Sequence, residues 1–325
     1  MTTRWKLLTA LGISVLLAPV AGYPQQLRVW HVGVLETISM TANAINIDAF
    51  RQGMRERGYV EGRNLFIDYR SADGRGERFA KLAAELVQRK VDVIVTRGTP
   101  AAIAAKNATQ VIPVVMASIG DPLTVVGSLS HPAGNVTGLT SLTSDLEAKR
   151  VEILRELVPA ARSIAALYDM GNPVFAQRWK EMEAATHSLD MQAYLLDARK
   201  SEELAPLFDA AGRQHADGLV VGQDGLLQAS QTTVAELAAK HRIPAIYVSR
   251  DFIKAGGLIA YGPSYPDLYQ RAARYVDEIL RGAHPGDLPI EQPTKFEMII
   301  NLKTAKALGL TIPSAVLLRA DEVVE

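Results

Sequence analysis

The residues best placed to do chemistry in this chain stand where short apolar runs stop. Thr99 follows the run Val91–Val95 and precedes an alanine-rich stretch. Its hydroxyl and the neighbouring backbone N–H groups could hold a carboxylate or another anion; an ordinary helix cap reads the same way. Asp121, in the turn Gly120-Asp121-Pro122, could accept an ammonium group and is equally at home as a turn residue. Downstream, Asp169 and Asn172 follow the run Ser163–Tyr168, and Gln223 and Asp224 follow the run that opens at Ala216. Thr37, in the polar loop after the first run, and Thr137, at the start of a later one, complete a ring of candidates. Tyr247 could wall a cleft, as could Tyr168 and Tyr261, with core packing as the alternative for each. Hydroxyl and amide donors on one side with carboxylates on another suit a zwitterion, an amino acid first among them.

Bond-making patterns are missing from the sequence. It has no G-x-S-x-G elbow, no G-x-x-x-x-G-K-[ST] phosphate loop and no H-E-x-x-H zinc helix. Gly74-Arg75-Gly76 lacks the third glycine of a dinucleotide fingerprint and reads as a plain turn. The six histidines are scattered with no i,i+4 pair, so no metal site is expected. With no cysteine, the chain has no disulfide, no zinc-thiolate site and no thiol nucleophile. The expectation is a binder that uses no cofactor.

The elements that must position these residues are legible around Val91–Pro122. A β-branched run, a break at Arg97–Pro100, a helical stretch Ala101–Thr109 and a second run Val114–Ala117 make a β-α-β unit. Ile112-Pro113 ends its helix, because a residue before proline is pushed out of the α region. Ala216–Arg250 repeats the plan, down to an Ile243-Pro244 before the returning strand. In open α/β sheets, ligands bind outside the carboxyl ends of the strands, which is where the candidates stand.

Strands predicted at Leu27–Leu35, Leu65–Tyr69, Val91–Val95, Val114–Ala117 and Val136–Thr140 alternate with helices, and the pattern restarts at Leu146. Corresponding strands are offset by roughly 120–135 residues, about one domain length, which argues for a duplicated α/β half. Each half is expected to hold a mostly parallel sheet of about five strands. The tail, with a helix at Tyr265–Leu280, a Gly/Pro-rich crossing and a strand at Phe296–Asn301, reads as a return to the first lobe and a second crossing. The expected division is residues 27–143 with about 262–286 for one lobe, and 144–261 with about 287–325 for the other.

The 325 residues are 48% hydrophobic and 22% charged with formal net charge +0, a balance that gives no sign of a nucleic-acid partner. Residues 1–22 read as a signal peptide: Arg4 and Lys6, an apolar core from Leu7 to Ala18, then the small residues of Val20-Ala21-Gly22. That core falls short of the ~20 residues that span a bilayer. Without a cysteine after the signal there is no lipoprotein anchor. A soluble protein in a Gram-negative periplasm is the expectation.

Taken in order, GYVEGRN (Gly58–Asn64), DYRSADG (Asp68–Gly74), VDVIVTRGTPAA, IPVVMASIGDP, HPAGNVTGLT (His131–Thr140), IPAIYVSRDFIKAGGLIAYG (Ile243–Gly262) and LPIEQPTKFEMIINLKTAKALGLTIP (Leu288–Pro313) carry a resemblance. They resemble the ABC transporter substrate-binding proteins of the tryptophan/tyrosine type, over Leu27–Glu325. The resemblance implies a type I periplasmic-binding fold: two Rossmann-like lobes, a three-strand hinge and a ligand in the cleft. It also implies, as partners, an inner-membrane permease and a separate ATPase serving a monomeric receptor. A periplasmic sensor that presents its ligand to a signalling receptor is the alternative, and an α/β enzyme a more distant one.

Overall fold

In the computed structural model, described over residues 28–141 and 146–325, the chain forms two α/β lobes. The expected signal segment, residues 1–22, lies outside the described residues. The first lobe runs β1 (Trp30–Glu36), α1 (Ala44–Arg55), β2 (Leu65–Ser71), α2 (Phe79–Gln88), β3 (Val93–Arg97), α3 (Thr99–Ala108), β4 (Val114–Ile119) and β5 (Val136–Thr140). Its five strands pair in the order β2-β1-β3-β4-β5, all parallel. β3 shows why both faces are covered. Val93 and Val95 join the core under α1, while Ile94 between them joins Leu82, Leu86 and Ala101 of α2 and α3. An apolar run with no polar alternation is what a sheet buried on both faces requires.

The second lobe follows as α4 (Glu147–Leu157), β6 (Ser163–Tyr168), α5 (Val174–Ser188), β7 (Gln192–Asp197), α6 (Leu204–Arg213), β8 (Gly218–Val221), α7 (Gly225–Ala229), α8 (Gln231–Lys240), β9 (Ala245–Tyr247), α9 (Arg250–Lys254) and β10 (Ile259–Pro263). The remainder is α10 (Tyr265–Leu280), β11 (Phe296–Asn301), α11 (Leu302–Leu308), α12 (Ser314–Leu317) and β12 (Glu322–Val324). The second sheet has seven strands in the order β12-β11-β10-β9-β8-β6-β7. All its pairs are parallel except β10 with β11. It exceeds the expected five because β11 and β12 extend one edge. The three residues of β12 are too few to show a period in the sequence.

α10 belongs to the first lobe by packing. Leu268, Tyr269, Ala272, Val276 and Ile279 recur at helical spacing and close on Ile47, Phe50 and Met54 of α1 and Val32 and Val34 of β1. Three passages of chain therefore join the lobes: after β5, between β10 and α10, and from residue 288 to 295. The last of these lies beside β5, with Glu291 N–H donating to Gly138 O at 3.1 Å and Thr140 N–H donating to Glu291 O at 2.9 Å.

Candidate functional site

Parallel strands deliver their carboxyl ends to one edge of each sheet, and the two edges face each other across a cavity of about 490 Å³. The first lobe contributes the loop after β1 (Thr37), the turn after β2 (Gly74), the end of β3 with the start of α3 (Arg97, Gly98, Thr99), and Ser118 and Gly120 after β4. Tyr265, at the head of α10, closes the inner end. The second lobe contributes Asp169 and Asn172 after β6, Arg178 from α5, and Gln223 and Asp224 after β8. Hydrogen bonds between loops hold the first-lobe rim together. Gly74 N–H donates to Thr37 O at 2.8 Å, and Gly98 N–H donates to Ser118 O at 2.8 Å.

The lobes touch at the mouth of the cavity. A Cβ on Gly225 would stand 3.2 Å from Thr37 Cβ, and one on Gly74 would stand 2.8 Å from Ala229 Cβ. Gly74 also has φ +76°, where an L side chain is strained. Small residues are thus required on both sides for the two edges to meet.

Charge is distributed unevenly along the walls. Asp224 Oδ1 accepts Leu227 N–H at 2.8 Å, while Oδ2 is sheltered from solvent with no hydrogen-bond partner among the described residues. Burial pushes its carboxyl up to about 7 and the Asp169 carboxylate adds to the rise, while the backbone N–H groups of Leu227, Leu226 and Asp169 oppose it. Asp169 is itself raised, by burial first, although its Oδ1 accepts Gly171 N–H at 2.8 Å. Toward the inner end, Arg97 lies over the Tyr265 ring at 4.7 Å and donates to Asn43 Oδ1 at 3.2 Å. Burial opposes its charge, but Tyr269 and Glu36 beside it hold its pKa up. Glu36 is fully buried and accepts the Tyr269 hydroxyl; burial raises its pKa against the pull of Arg97.

Of the residues singled out in the sequence, Thr37, Thr99, Asp169, Asn172 and Asp224 line this cavity. Three sit elsewhere. Asp121 turns away to cap the short 3-10 turn Pro122–Thr124, accepting Leu123 N–H at 3.0 Å, and leaves Gly120 to face the cavity. Thr137 is buried and donates its hydroxyl to Leu288 O at 2.7 Å, tying β5 to the crossing segment. Tyr247 stacks on Phe252 at 4.7 Å within the second-lobe core, which is the packing alternative. The facing set expected as Thr99, Asp121, Asn172 and Asp224 therefore loses Asp121. Arg250 is held in ion pairs with Glu297 and Glu322, away from the cavity.

Arg97, Ser118, Arg178 and Tyr265 were not anticipated. Arg178 had a signal available. It stands four residues after Val174 and four before Met182, both buried on α5, so it occupies a place on the stripe where the helical period calls for an apolar side chain. Among the described residues no group of three His, Cys, Asp or Glu could hold a metal ion.

The model of the family described as ABC transporter substrate binding protein matches residues 31–324. The chain belongs to that family. Among the relatives of this substrate-binding protein, a tyrosine-binding protein of Clostridioides difficile (strain R20291) is 29% identical over 270 residues, 82% of this chain and 77% of the relative. A solved conserved domain protein from Vibrio cholerae superposes with a TM-score of 0.85 at 27% identity, covering 91% of this chain and all of the other. The ABC domain from Streptococcus pneumoniae, solved in complex with L-Trp, superposes with a TM-score of 0.83 at 26% identity, with coverage of 91% and 100%. The two-lobed α/β fold of this substrate-binding protein is that of the type I periplasmic binding proteins.

Proposed function

We propose that this protein is the ligand-capturing component of an ABC-type uptake system and that it takes a free amino acid, aromatic ones first among them, into the cavity between its lobes. The observation that carries the reading is the cavity itself. It is enclosed by strand-end loops of both lobes, and about 490 Å³ lies within the usual range of small-molecule sites. Polar groups of opposite charge line its walls, as a zwitterion requires. The relatives bound to L-Trp or named for tyrosine point to the same class. The capturing units are residues 27–143 with about 262–286, and 144–261 with about 287–325, closing by hinge motion on the three connecting passages. Residues 1–22 direct export, and the loaded, monomeric protein hands its ligand to a membrane permease driven by a separate ATPase.

A thermal-shift panel tests the ligand class. A ligand that binds the folded state adds RT ln(1 + [L]/Kd) to stability, about 2.7 kcal/mol at a hundredfold excess over Kd. L-tryptophan or L-tyrosine is expected to raise the melting temperature, whereas a nucleoside and a pentose are not. A shift from the nucleoside or the pentose with none from any L-amino acid would overturn the ligand class. Release of the mature chain by osmotic shock tests the location, and its retention inside the cell would count against export.

A further inference from the structure

The charges buried around the inner end of the cavity do not cancel. Arg97 has Glu36 beside it. Arg150 and Glu147 are both fully buried and paired at 2.9 Å, and Arg150 Nε also donates to Tyr261 O at 3.0 Å. The second oxygen of Glu147 accepts the Tyr168 hydroxyl at 3.1 Å. Arg178 is the odd charge. It is 2% exposed, its Nε and Nη1 have no hydrogen-bond partner, and it forms no ion pair among the described residues. The guanidinium lies over the ring of Phe175 at 5.3 Å. Burial lowers its pKa; the field of Glu147 resists this, and that of Arg150 adds to it. Among the described residues one carboxylate, Glu147, thus pairs with Arg150 and acts on Arg178 by its field alone, and the set carries one positive charge too many.

An unpaired guanidinium withdrawn from water is unfavourable unless something anionic meets it. Arg178 lines the cavity, and the wall opposite it is Gly120, where a Cβ would stand 2.8 Å from Nη2. The glycine is what lets the guanidinium come this close to the first-lobe wall. Ser118, also at the wall, has a hydroxyl able to assist. We propose that Arg178 is the anchor for a carboxylate of the bound molecule, and that Asp224 Oδ2, the unpartnered oxygen elsewhere on the wall, takes its ammonium group. The site then demands an anionic group and rejects amines, amides and neutral sugars of equal size. This assignment rests on the reading above in placing the ligand in this cavity, and it fixes the polarity with which the ligand lies there.

Two arms test it on the full mature chain. In the first, melting temperatures are compared in sodium acetate, sodium phosphate and sodium chloride at equal ionic strength. Acetate is expected to raise the wild-type value by about 2 °C or more over chloride. Arg178→Met is expected to lose that increment and to melt in chloride no lower than wild type, because the unpaired charge is gone. Arg178→Lys, which keeps the charge, retains part of the increment. In the second arm, calorimetry compares L-tryptophan with L-tryptophanamide. Wild type is expected to prefer the acid by at least about thirtyfold, the usual loss when one partner of a buried charge pair is removed, and Arg178→Met is expected to show no preference. Equal binding of acid and amide by wild type, or a preserved acid preference in Arg178→Met, overturns the anchor. An increment from phosphate but not acetate overturns the carboxylate in favour of a phosphoryl group. If neither tryptophan compound binds, the amino-acid reading fails and the acetate arm alone decides the anchor: an increment lost in Arg178→Met upholds it, and no increment overturns it.

Discussion

Gly225 offers a way to separate closing of the lobes from folding. It opens α7 on the second lobe, and its φ lies outside the left-handed region, so alanine fits the backbone. An added Cβ would meet Thr37 Cβ at 3.2 Å, Thr37 Cγ2 at 3.4 Å and Gly74 Cα at 3.9 Å, all across the cavity mouth. With the lobes apart those contacts vanish. Gly225→Ala should therefore leave the unliganded protein as stable as wild type, or more stable by about 0.5 kcal/mol from the lost flexibility of glycine. The closed state bears the crowding. Overpacking of this kind costs about 1–3 kcal/mol, with the lower end expected for a 3.2 Å contact. Affinity for L-tryptophan should then fall about fivefold to tenfold. Gly225→Leu should prevent the edges from meeting, so that small-angle scattering shows no contraction on adding ligand. Urea unfolding of the free variants, calorimetric titration and scattering are the assays. Wild-type affinity together with wild-type contraction in Gly225→Leu would refute the contact as a feature of the closed state.

Three further outcomes are expected. Between its ordinary value of 3.8 and about 7, Asp224 keeps its proton in the folded protein where the unfolded chain has released it, so its contribution to stability falls as pH rises through that window. Urea titrations across the window should show a slope that Asp224→Asn flattens, and wild-type affinity for L-tryptophan should rise with pH up to about 7 and then level, because an ammonium partner favours the ionised carboxyl. Glu147→Gln removes the carboxylate paired with Arg150 and should cost about 3–5 kcal/mol in urea unfolding; a loss under about 1 kcal/mol would mean the pair is solvated. Asp121→Ala should cost about 1 kcal/mol through its lost cap and leave ligand affinity unchanged by calorimetry.

The strand-end candidates were legible because each follows an apolar run, and a parallel sheet sends the residues after its strands to one edge. Thr99, Asp169, Asn172 and Asp224 reach the cavity for that reason. Asp121 satisfies the same rule and still turns away, because a carboxylate beside Pro122 can accept the N–H two residues on and is consumed by its own turn. Tyr247 sits within a three-residue strand, where no alternation can show which face it takes. Glu147, Arg150 and Arg178 were hidden in a different way. Each lies buried on a helix, at a place where the sequence alone does not tell a buried charge from a solvated one. Their spacing is informative only once the partner at that depth is known, and the partner comes from another element. The duplicated halves and the returning tail were legible because their signals are long: whole runs, proline stops and a sixteen-residue amphipathic helix.

The position of α10 sets the order in which the chain can mature. Its apolar face shares with α1 the cover of one side of the first sheet, yet it is encoded after the whole run from α4 to β10. A nascent chain that has reached residue 263 holds every strand of that sheet and still has Val32, Val34, Val93 and Val95 covered by α1 without α10. The second sheet is likewise short of β11 and β12 until the final passage is made. Neither lobe can therefore be finished before synthesis is nearly complete, and long-range closures of this kind are slow. A chain cut after β5 would give a complete first sheet without α10 to cover it, and a second piece carrying α10 with nothing to pack on, rather than two small domains.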